Sequence, residues 1–216
     1  MPRRQQIGYA PIDFAEYADP ATRPAFNEAI NVLKSLGAQF TEAKLPNFPY
    51  GPCLSTILAG EMGSIFEPLI TSGKVDQLAD KPQIAGLKAS LELPSKDYLK
   101  AMRIRRLIQE EVSKLFGQFD VLVAPGRTSI ASKLDQPLDR PPAGAAPAPT
   151  DPGFRAIIQM GNLAGLPALV LPCGFAENMP VALQLVGVPF SENALMAIGR
   201  EFQAKTDWHK RRPPGV

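Results

Sequence analysis

Residues 162–187 constrain the fold of this chain more than any other segment, because they contain two short apolar runs bounded by proline and glycine. The runs are 168–171 and 181–186, and a proline directly precedes the first residue of each. Apolar runs of this length and setting are typical of buried strands rather than helices. The connection, residues 173–179, contains a glycine and a Glu-Asn pair, and it predicts a hairpin with a rather long loop.

Gln184 is the one polar side chain inside the second apolar run. If both faces of that strand are covered, its amide needs partners, since an unpaired buried polar group costs roughly 1–3 kcal/mol. Two interpretations stay open. Gln184 is either a hydrogen-bonded structural residue of a core strand or a residue that orients a loop lining a substrate cleft.

The rest of the chain alternates strand and helix patterns. A strand at 7–12, a helix capped by Asp19 and stopped at Gly37, and a strand at 39–45 predict a βαβ unit with a right-handed crossover. Further patterns predict helices at 54–66, at 94–117 and after Ser191, and a buried strand at 120–125. The fold class expected from this order is α/β, with a mixed sheet flanked by helices.

Composition excludes several classes of protein. The chain has 216 residues, 45% of them hydrophobic, which suits one sizeable globular core. A net charge of +2 gives no basic field of the kind that nucleic-acid binding needs. No apolar stretch is long enough to span a bilayer, so neither a nucleic acid nor a membrane is expected as a partner.

The two cysteines and the single histidine indicate neither a disulfide framework nor a metal site. Cys53 and Cys173 are far apart in sequence, and neither they nor the single histidine, His209, has metal-ligand spacing. We therefore expect no metal, no cofactor and a reduced, cytoplasmic location. His209 lies beside Trp208 in a basic tail, and we expect it to pack there rather than to act in a catalytic triad.

Three motifs follow one another in the hairpin segment: Asn-Leu-Ala-Gly-Leu-Pro-Ala at 162–168, Pro-Cys-Gly-Phe at 172–175 and Met-Pro-Val-Ala-Leu-Gln-Leu at 179–185. Their order and spacing resemble the C-terminal signature of the amidase-signature family, and three ordered pieces are a specific signal. Enzymes of that family cleave carboxamide C–N bonds with a Ser–cis-Ser–Lys triad. One departure is Ala182, where the family usually has glycine.

The resemblance implies that residues 1–216 form the C-terminal portion of an amidase-signature domain, and hence part of its α/β/α sandwich. Residues 126–152 are rich in proline and small residues, which cannot build a core. A domain linker is one interpretation of this segment. We interpret it as a surface loop, because the strands on either side belong together in the family fold.

The catalytic residues of the family have no counterpart in this sequence. The family supplies its nucleophile and oxyanion donors from a lysine and a Gly-Gly-Ser-Ser-Gly-Gly type of stretch, and the chain contains no such stretch. Gly-x-Ser-x-Gly is absent too. We therefore assign no catalytic residue, and the resemblance places the triad in an N-terminal half. The chain alone is expected to be inactive.

Substrate binding is what this half could contribute, and the candidate residues are Arg155, Asn162 and Gln184. In the amidotransferase branch of the family, an aspartate a few residues before the Asn-Leu-Ala-Gly-Leu-Pro motif holds the substrate amino group. Arg155 falls at or next to that place, and the Asn-Leu-Ala-Arg segment of that branch is absent. These departures favour a stand-alone amidase. Arg155 is either a pocket residue that meets an anionic group or a surface arginine.

Three functions follow as hypotheses. The first is an amidase-type hydrolase, present as its C-terminal portion, which acts on a small-molecule amide in the complete enzyme. The alternatives are a non-catalytic binding or subunit module, and a protein like the A subunit of the amidotransferase branch. Without its N-terminal half the chain would expose sheet edge and apolar surface, so that half or self-association is the expected partner.

Overall fold

The computed structural model describes residues 5–135 and 151–212, which form two compact units. The first unit consists of the described residues within Met1–Leu45, Ser113–Ile157 and Gly165–Val216. The second consists of Pro46–Val112 and Ile158–Ala164. Residues 136–150, which make up most of the expected loop at 126–152, lie outside the described part.

The first unit is built on a five-stranded sheet. The strands are β1 Gln6–Tyr9, β2 Gln39–Glu42, β3 Val121–Pro125, β4 Ala168–Ala176 and β5 Met179–Gly187. Their order in the sheet is β2-β1-β3-β5-β4. Strand β1 pairs in parallel with β2 and β3, whereas β5 is antiparallel to both of its neighbours, β3 and β4. This arrangement confirms the expected α/β class with a mixed sheet flanked by helices.

The predicted βαβ unit is present, since helix α1, Arg23–Ser35, joins the parallel strands β1 and β2. The expected cap at Asp19 is wrong, because the helix begins at Arg23 and its cap position is therefore three residues later. Thr22 occupies the cap position, but its hydroxyl donates to Asp19 O at 2.9 Å rather than accepting from the helix. Asp19 instead begins a short turn, Asp19–Thr22, in which the backbone N–H of Thr22 donates to Asp19 O at 2.8 Å.

The hairpin of β4 and β5 is confirmed, but its loop is shorter than expected. Pairing continues as far as Ala176 and Met179, so that only Glu177 and Asn178 connect the strands. Both have positive φ, 50° and 62°, as the type I′ turn of a two-residue hairpin loop requires. Pairing continues through a bulge, since Pro172 lies opposite Ala182 and Gly174 opposite Val181, which leaves Cys173 as the extra residue.

Helices α1 and α7, Glu192–Lys205, pack against the hairpin and form the core of this unit with the sheet. The largest side chains with almost no exposed surface there include Phe26, Leu33, Leu183, Leu185 and Phe202. Each such burial contributes about 1.5–3 kcal/mol. The ring of Trp208 lies 5.7 Å from that of Phe202, which confirms that the tail packs onto α7.

The second unit is helical. It contains α2, α3 and α4, most of α5, and α6 from Ile158 onward; the bounds are α2 Tyr50–Ile65, α3 Glu67–Thr71, α4 Lys81–Ser90, α5 Ser95–Leu115 and α6 Ile157–Ala164. The predicted helix at 54–66 therefore begins at Tyr50. Helices α2 and α4 approach each other closely at Gly63 and Ser90. A methyl group added at Gly63 would lie only 2.7 Å from Ser90 O. No helix in the described ranges is long and apolar enough to cross a membrane.

Candidate functional site

The carboxyl ends of the parallel strands β1, β2 and β3 lie at the same edge of the sheet, and open α/β sheets bind ligands at this edge. The segments that follow these strands meet residues 151–155 there. Tyr17 OH donates to Asp151 O, and Lys44 Nζ lies 3.9 Å from Asp151 Oδ2. The backbone N–H of Asp19 donates to Thr128 O at 2.8 Å. Polar groups that are distant in sequence thus converge at one place.

Asp13 is the most deeply buried charged group of this cluster. It begins a short π-helical turn, Asp13–Tyr17, which three residues separate from the end of β1, and it is only 4% exposed. Its Oδ2 accepts a hydrogen bond from the backbone N–H of Phe154 at 2.9 Å. Its Oδ1 has no hydrogen-bond partner among the described residues, and it lies so close to Gly153 that a methyl group there would overlap it.

Burial raises the pKa of Asp13 to about 6, from an ordinary value of 3.8. The hydrogen bond from Phe154 and the positive charge of Arg155 act in the opposite direction, and the negative charge of Asp151 adds to the increase. At neutral pH, about one unit above this pKa, most of the carboxyl group is therefore ionised in spite of its burial. Such a perturbed carboxyl group at a ligand-binding edge marks a candidate functional site.

Arg155 is exposed, and its guanidinium carbon lies 4.3 Å from the centroid of the Tyr17 ring. This distance is well within the range of a cation–π interaction. The Asp151 side chain accepts from Gly153 N at 2.9 Å and so fixes the turn before Arg155. The guanidinium is thus held at the rim of the cluster with its donor groups accessible.

The turn that carries Asp13 and Tyr17 is tied to its surroundings at its far end as well. The hydroxyl of Thr22, a fully buried side chain, lies 2.9 Å from Asp19 O and 3.2 Å from Thr128 O. Arg23 Nε donates to Ala18 O at 2.9 Å. Hydrogen bonds therefore hold the turn at both ends, through Asp13 at its start and through Ala18 after its last residue. They limit the movement of Asp13 and Tyr17.

Gln184 is 7% exposed and lies in β5 opposite Ala124. Its Nε2 donates to Pro125 O at 3.1 Å, at the end of β3. This bond supports the structural interpretation of the residue, and its contact with substrate stays a prediction. Gln184 and Arg155 belong to the same unit, but the contacts described for them involve different neighbours.

Asn162 is exposed and lies in α6, within the second unit. The carbonyl of the next residue, Leu163, accepts a hydrogen bond from Arg105 Nε at 2.8 Å, which anchors α6 to α5 inside that unit. The role of Asn162 in substrate binding is likewise still a prediction.

Other groups offer little nucleophilic or metal chemistry. Cys53 and Cys173 are free and buried, and burial raises the pKa of the Cys173 thiol to about 12, so it remains protonated. His209 lies in the short turn Trp208–Lys210, and its Nδ1 is buried without a described partner. Within the described ranges, no group of three His, Cys, Asp or Glu side chains could hold a metal ion.

Sequence reasoning missed Asp13 and Tyr17. The available signal was the placement of Asp13 between Ile12 and Phe14, directly after a strand of a predicted βαβ unit. A carboxylate between two apolar residues at the carboxyl end of a strand favours a site residue over a solvated one. The contact of Asp13 with Phe154 could not be inferred, because the two residues are 141 positions apart.

Comparison with known proteins identifies the family of this chain. The family model Amidase matches residues 1–196. The A subunit of glutamyl-tRNA(Gln) amidotransferase from Synechococcus sp. (strain JA-2-3B'a(2-13)) is 34% identical over 89% of this chain and 41% of its own length. The corresponding protein of Chloroflexus aurantiacus is 31% identical over 98% of this chain and 46% of its own length.

Solved structures show the same fold. A crystal structure of an amidase matches 94% of this chain with a TM-score of 0.70 and 25% identity, and the match covers 46% of that amidase. A substrate complex of 6-aminohexanoate cyclic dimer hydrolase matches 99% of the chain with a TM-score of 0.72 and 18% identity. The chain spans less than half the length of the curated relatives that it matches. By its family model and these relatives, the chain belongs to the amidase family.

Proposed function

We propose that this chain is the substrate-binding portion of an amidase-type hydrolase that acts on carboxamide C–N bonds. The observation that carries the proposal is the cluster of Asp13, Tyr17 and Arg155 at the carboxyl ends of the parallel strands. It holds an accessible guanidinium at the edge where α/β sheets bind ligands. Membership of the amidase family supplies the reaction class.

Amide hydrolysis needs an activated nucleophile, a base that takes its proton, and donors for the oxyanion. The cluster offers a cation and a deeply buried carboxylate, which suit binding more than nucleophilic attack. The curated relatives extend well beyond the matched region. We infer that the nucleophile and base come from the remainder of the enzyme, and that this chain alone turns over no amide.

In this proposal the guanidinium of Arg155 binds a carboxylate or carbonyl oxygen of the substrate, since its planar donors suit paired oxygen acceptors. Gln184 stabilises the end of β3 by donating to Pro125 O, and the chain runs on from there to Thr128, which contacts the cluster. Asn162, an exposed residue of the second unit, is a separate candidate for contact with substrate. The substrate is a small molecule with a carboxamide group.

The partner in this proposal is the N-terminal half of the enzyme, and we infer that it adds to the sheet at β4. Strand β4 is one edge of the described sheet, and apolar side chains are exposed along the hairpin there, among them Val170 at 58%. The opposite edge, β2, exposes the polar side chains of Gln39, Thr41 and Glu42. Apolar edge strands favour pairing, whereas polar ones resist it.

A protein like the amidotransferase relatives named above is the second candidate, because the chain is 34% and 31% identical to them, against 25% to the amidase of known structure. Arg155 favours the stand-alone amidase, since it stands where the resemblance implies an aspartate. A reconstituted enzyme that hydrolyses simple amides but not glutamine would support the amidase. Preferential hydrolysis of glutamine would support the amidotransferase.

The deciding experiment combines this chain with the polypeptide encoded upstream of it. We expect no turnover of simple amides by the purified chain, and turnover after co-expression with an upstream half that contains a lysine and a Gly/Ser-rich stretch. Turnover by the chain alone would refute the proposal. Unrelated upstream sequence would favour the third candidate, a non-catalytic binding module. We infer a cytoplasmic location, with which the two free cysteines are consistent.

A further inference from the structure

Asp13 is the one charged side chain that is buried among the described residues. A buried carboxylate is costly unless it is paired, and here one of its two oxygens, Oδ1, has no hydrogen-bond partner in the described part of the chain. A purely structural role does not require this arrangement. An asparagine would accept the same bond from Phe154 N–H without burying a charge.

The groups around Asp13 indicate what its charge does. Asp13 Oδ2 is bonded to Phe154 N–H at 2.9 Å, and the next residue is Arg155, whose positive charge interacts favourably with the carboxylate. Gly153, on the other side of Phe154, has a φ of +54° and lets the chain pass directly over Oδ1. The carboxylate thus contacts one backbone segment and attracts the cation at the end of that segment.

We propose that Asp13 is a positioning residue for Arg155: its carboxylate holds the backbone of residues 153–155 against the turn after β1 and keeps the guanidinium over the ring of Tyr17. The inference rests on the proposed function, in which Arg155 contacts substrate. Asp13 itself touches no substrate. It sets where the guanidinium lies, and therefore the affinity of the site.

The other charged groups near Asp13 leave Arg155 as its attractive partner. Asp151 and Glu16 are negative, Tyr17 is neutral at physiological pH, and Lys44 is paired with Asp151, with 3.9 Å between Nζ and Oδ2. From α1, Arg23 is bonded to the carbonyl groups of Ala18 and Glu16, at the far end of the turn. Deprotonation of Asp13 therefore strengthens its attraction to Arg155, and protonation weakens it.

The first test uses the isolated chain. In isotope-labelled protein, the Arg155 Nε–H and Phe154 backbone resonances are followed by NMR from pH 4.5 to 7.5. We expect both to shift with a midpoint of about 6 in the wild type and to stay flat in Asp13→Asn. Asp19→Asn is the matched control, since it removes an exposed carboxylate from the neighbouring turn, and it should titrate as the wild type does. A flat Arg155 signal in the wild type would overturn the proposal, and so would unchanged titration in Asp13→Asn.

A second variant keeps the charge and changes the geometry. Gly153→Ala places a methyl group against Oδ1 at a backbone conformation that disfavours alanine, so it should push residues 153–155 away. We expect amide exchange of Phe154 to rise at least tenfold and the Arg155 resonance to move at every pH. An Arg155 resonance that keeps its wild-type position would contradict the positioning role. This variant remains informative if Asp13→Asn does not fold.

The last test uses the reconstituted enzyme and separates this inference from the proposed function. We expect Asp13→Asn to raise KM about tenfold with little change in kcat, and to add almost nothing in an Arg155→Ala background. Additive effects would overturn positioning through Arg155. If Arg155→Ala leaves KM unchanged while the NMR coupling is present, the substrate role of Arg155 fails and the positioning by Asp13 stands.

Discussion

The guanidinium of Arg155 lies over the ring of Tyr17, with 4.3 Å between the guanidinium carbon and the ring centroid. The same tyrosine donates its hydroxyl hydrogen to Asp151 O. One side chain therefore orients the arginine through its ring and fixes the preceding backbone through its hydroxyl. These two contributions can be separated by substitution.

Tyr17→Phe keeps the ring and removes the hydroxyl, whereas Tyr17→Leu removes both. A proton above an aromatic ring resonates upfield, so we expect the Arg155 Nε–H signal to stay upfield in Tyr17→Phe and to move to its random-coil position in Tyr17→Leu. In the reconstituted enzyme KM should rise several-fold for Tyr17→Leu and less for Tyr17→Phe. Equal effects of both variants would show that the ring does not orient Arg155.

Asp13 should make the chain less stable as pH rises from about 4 to about 6. The pKa of its carboxyl is about 6 in the folded chain and 3.8 ordinarily, so between these values the folded state binds more protons than the unfolded state. The stabilisation is complete below the unfolded value and is lost as pH passes through the folded one. Urea unfolding measured at several pH values checks this.

Asp13→Asn removes this dependence. Relative to the wild type, the unfolding free energy of the variant should increase by up to about 3 kcal/mol between pH 4 and pH 7. Asp19→Asn, with the same change in net charge at an exposed position, should run parallel to the wild type. A variant curve that also runs parallel to the wild type would show that Asp13 does not titrate in this range.

Gln184→Leu should destabilise the first unit by about 1–2 kcal/mol, since it leaves the buried carbonyl of Pro125 without its donor. Gln118→Leu, the same change at an exposed position, should alter stability by less than about 0.5 kcal/mol. Denaturant unfolding at pH 7 compares the two. Equal losses would mean that the bond to Pro125 contributes nothing specific.

Val170→Lys should block docking at the β4 edge, because a lysine there must be desolvated when a strand pairs with it. We expect the affinity for the co-expressed N-terminal half to fall at least tenfold, with the stability of the chain almost unchanged. Thr41→Lys places the same charge on the opposite edge strand, β2, and should bind normally. Analytical ultracentrifugation measures both, and it also shows whether the chain associates with itself. Equal affinity for the two variants would exclude β4 as the docking edge.

Local patterns predicted the elements well, because apolar spacing and proline positions act over a few residues. The β4–β5 hairpin and the parallel pairing of β1 with β2 follow from such patterns. The hairpin loop was predicted too long, because the bulge at Pro172 and Gly174 depends on strand pairing that sequence spacing does not show. The helix start at Asp19 failed for a similar reason, since Thr22 is tied to Thr128, 106 residues away.

Little of the candidate site could be predicted from the sequence. A motif suggested Arg155, whose contact with substrate is still a prediction, and no pattern suggested its neighbours Asp13 and Tyr17. They reach residues 151–154 across more than 130 positions of sequence, and only the folded sheet brings them together. Long-range polar contacts have no periodicity that a sequence can show.

The strand order also determines when the chain can fold. Strand β5 is the last strand in sequence, yet it lies between β3 and β4 in the sheet. During synthesis, β5 is complete only after Gly187 has left the ribosomal exit tunnel. Before that point nothing joins β4 to the other three strands. Until then the apolar strands β3 and β4 have unpaired edges, which is the state most prone to aggregation. A stop codon or a run of slow codons shortly before residue 187 should therefore reduce the yield of folded chain. The same stop codon or slow codons placed after α7 should reduce it less.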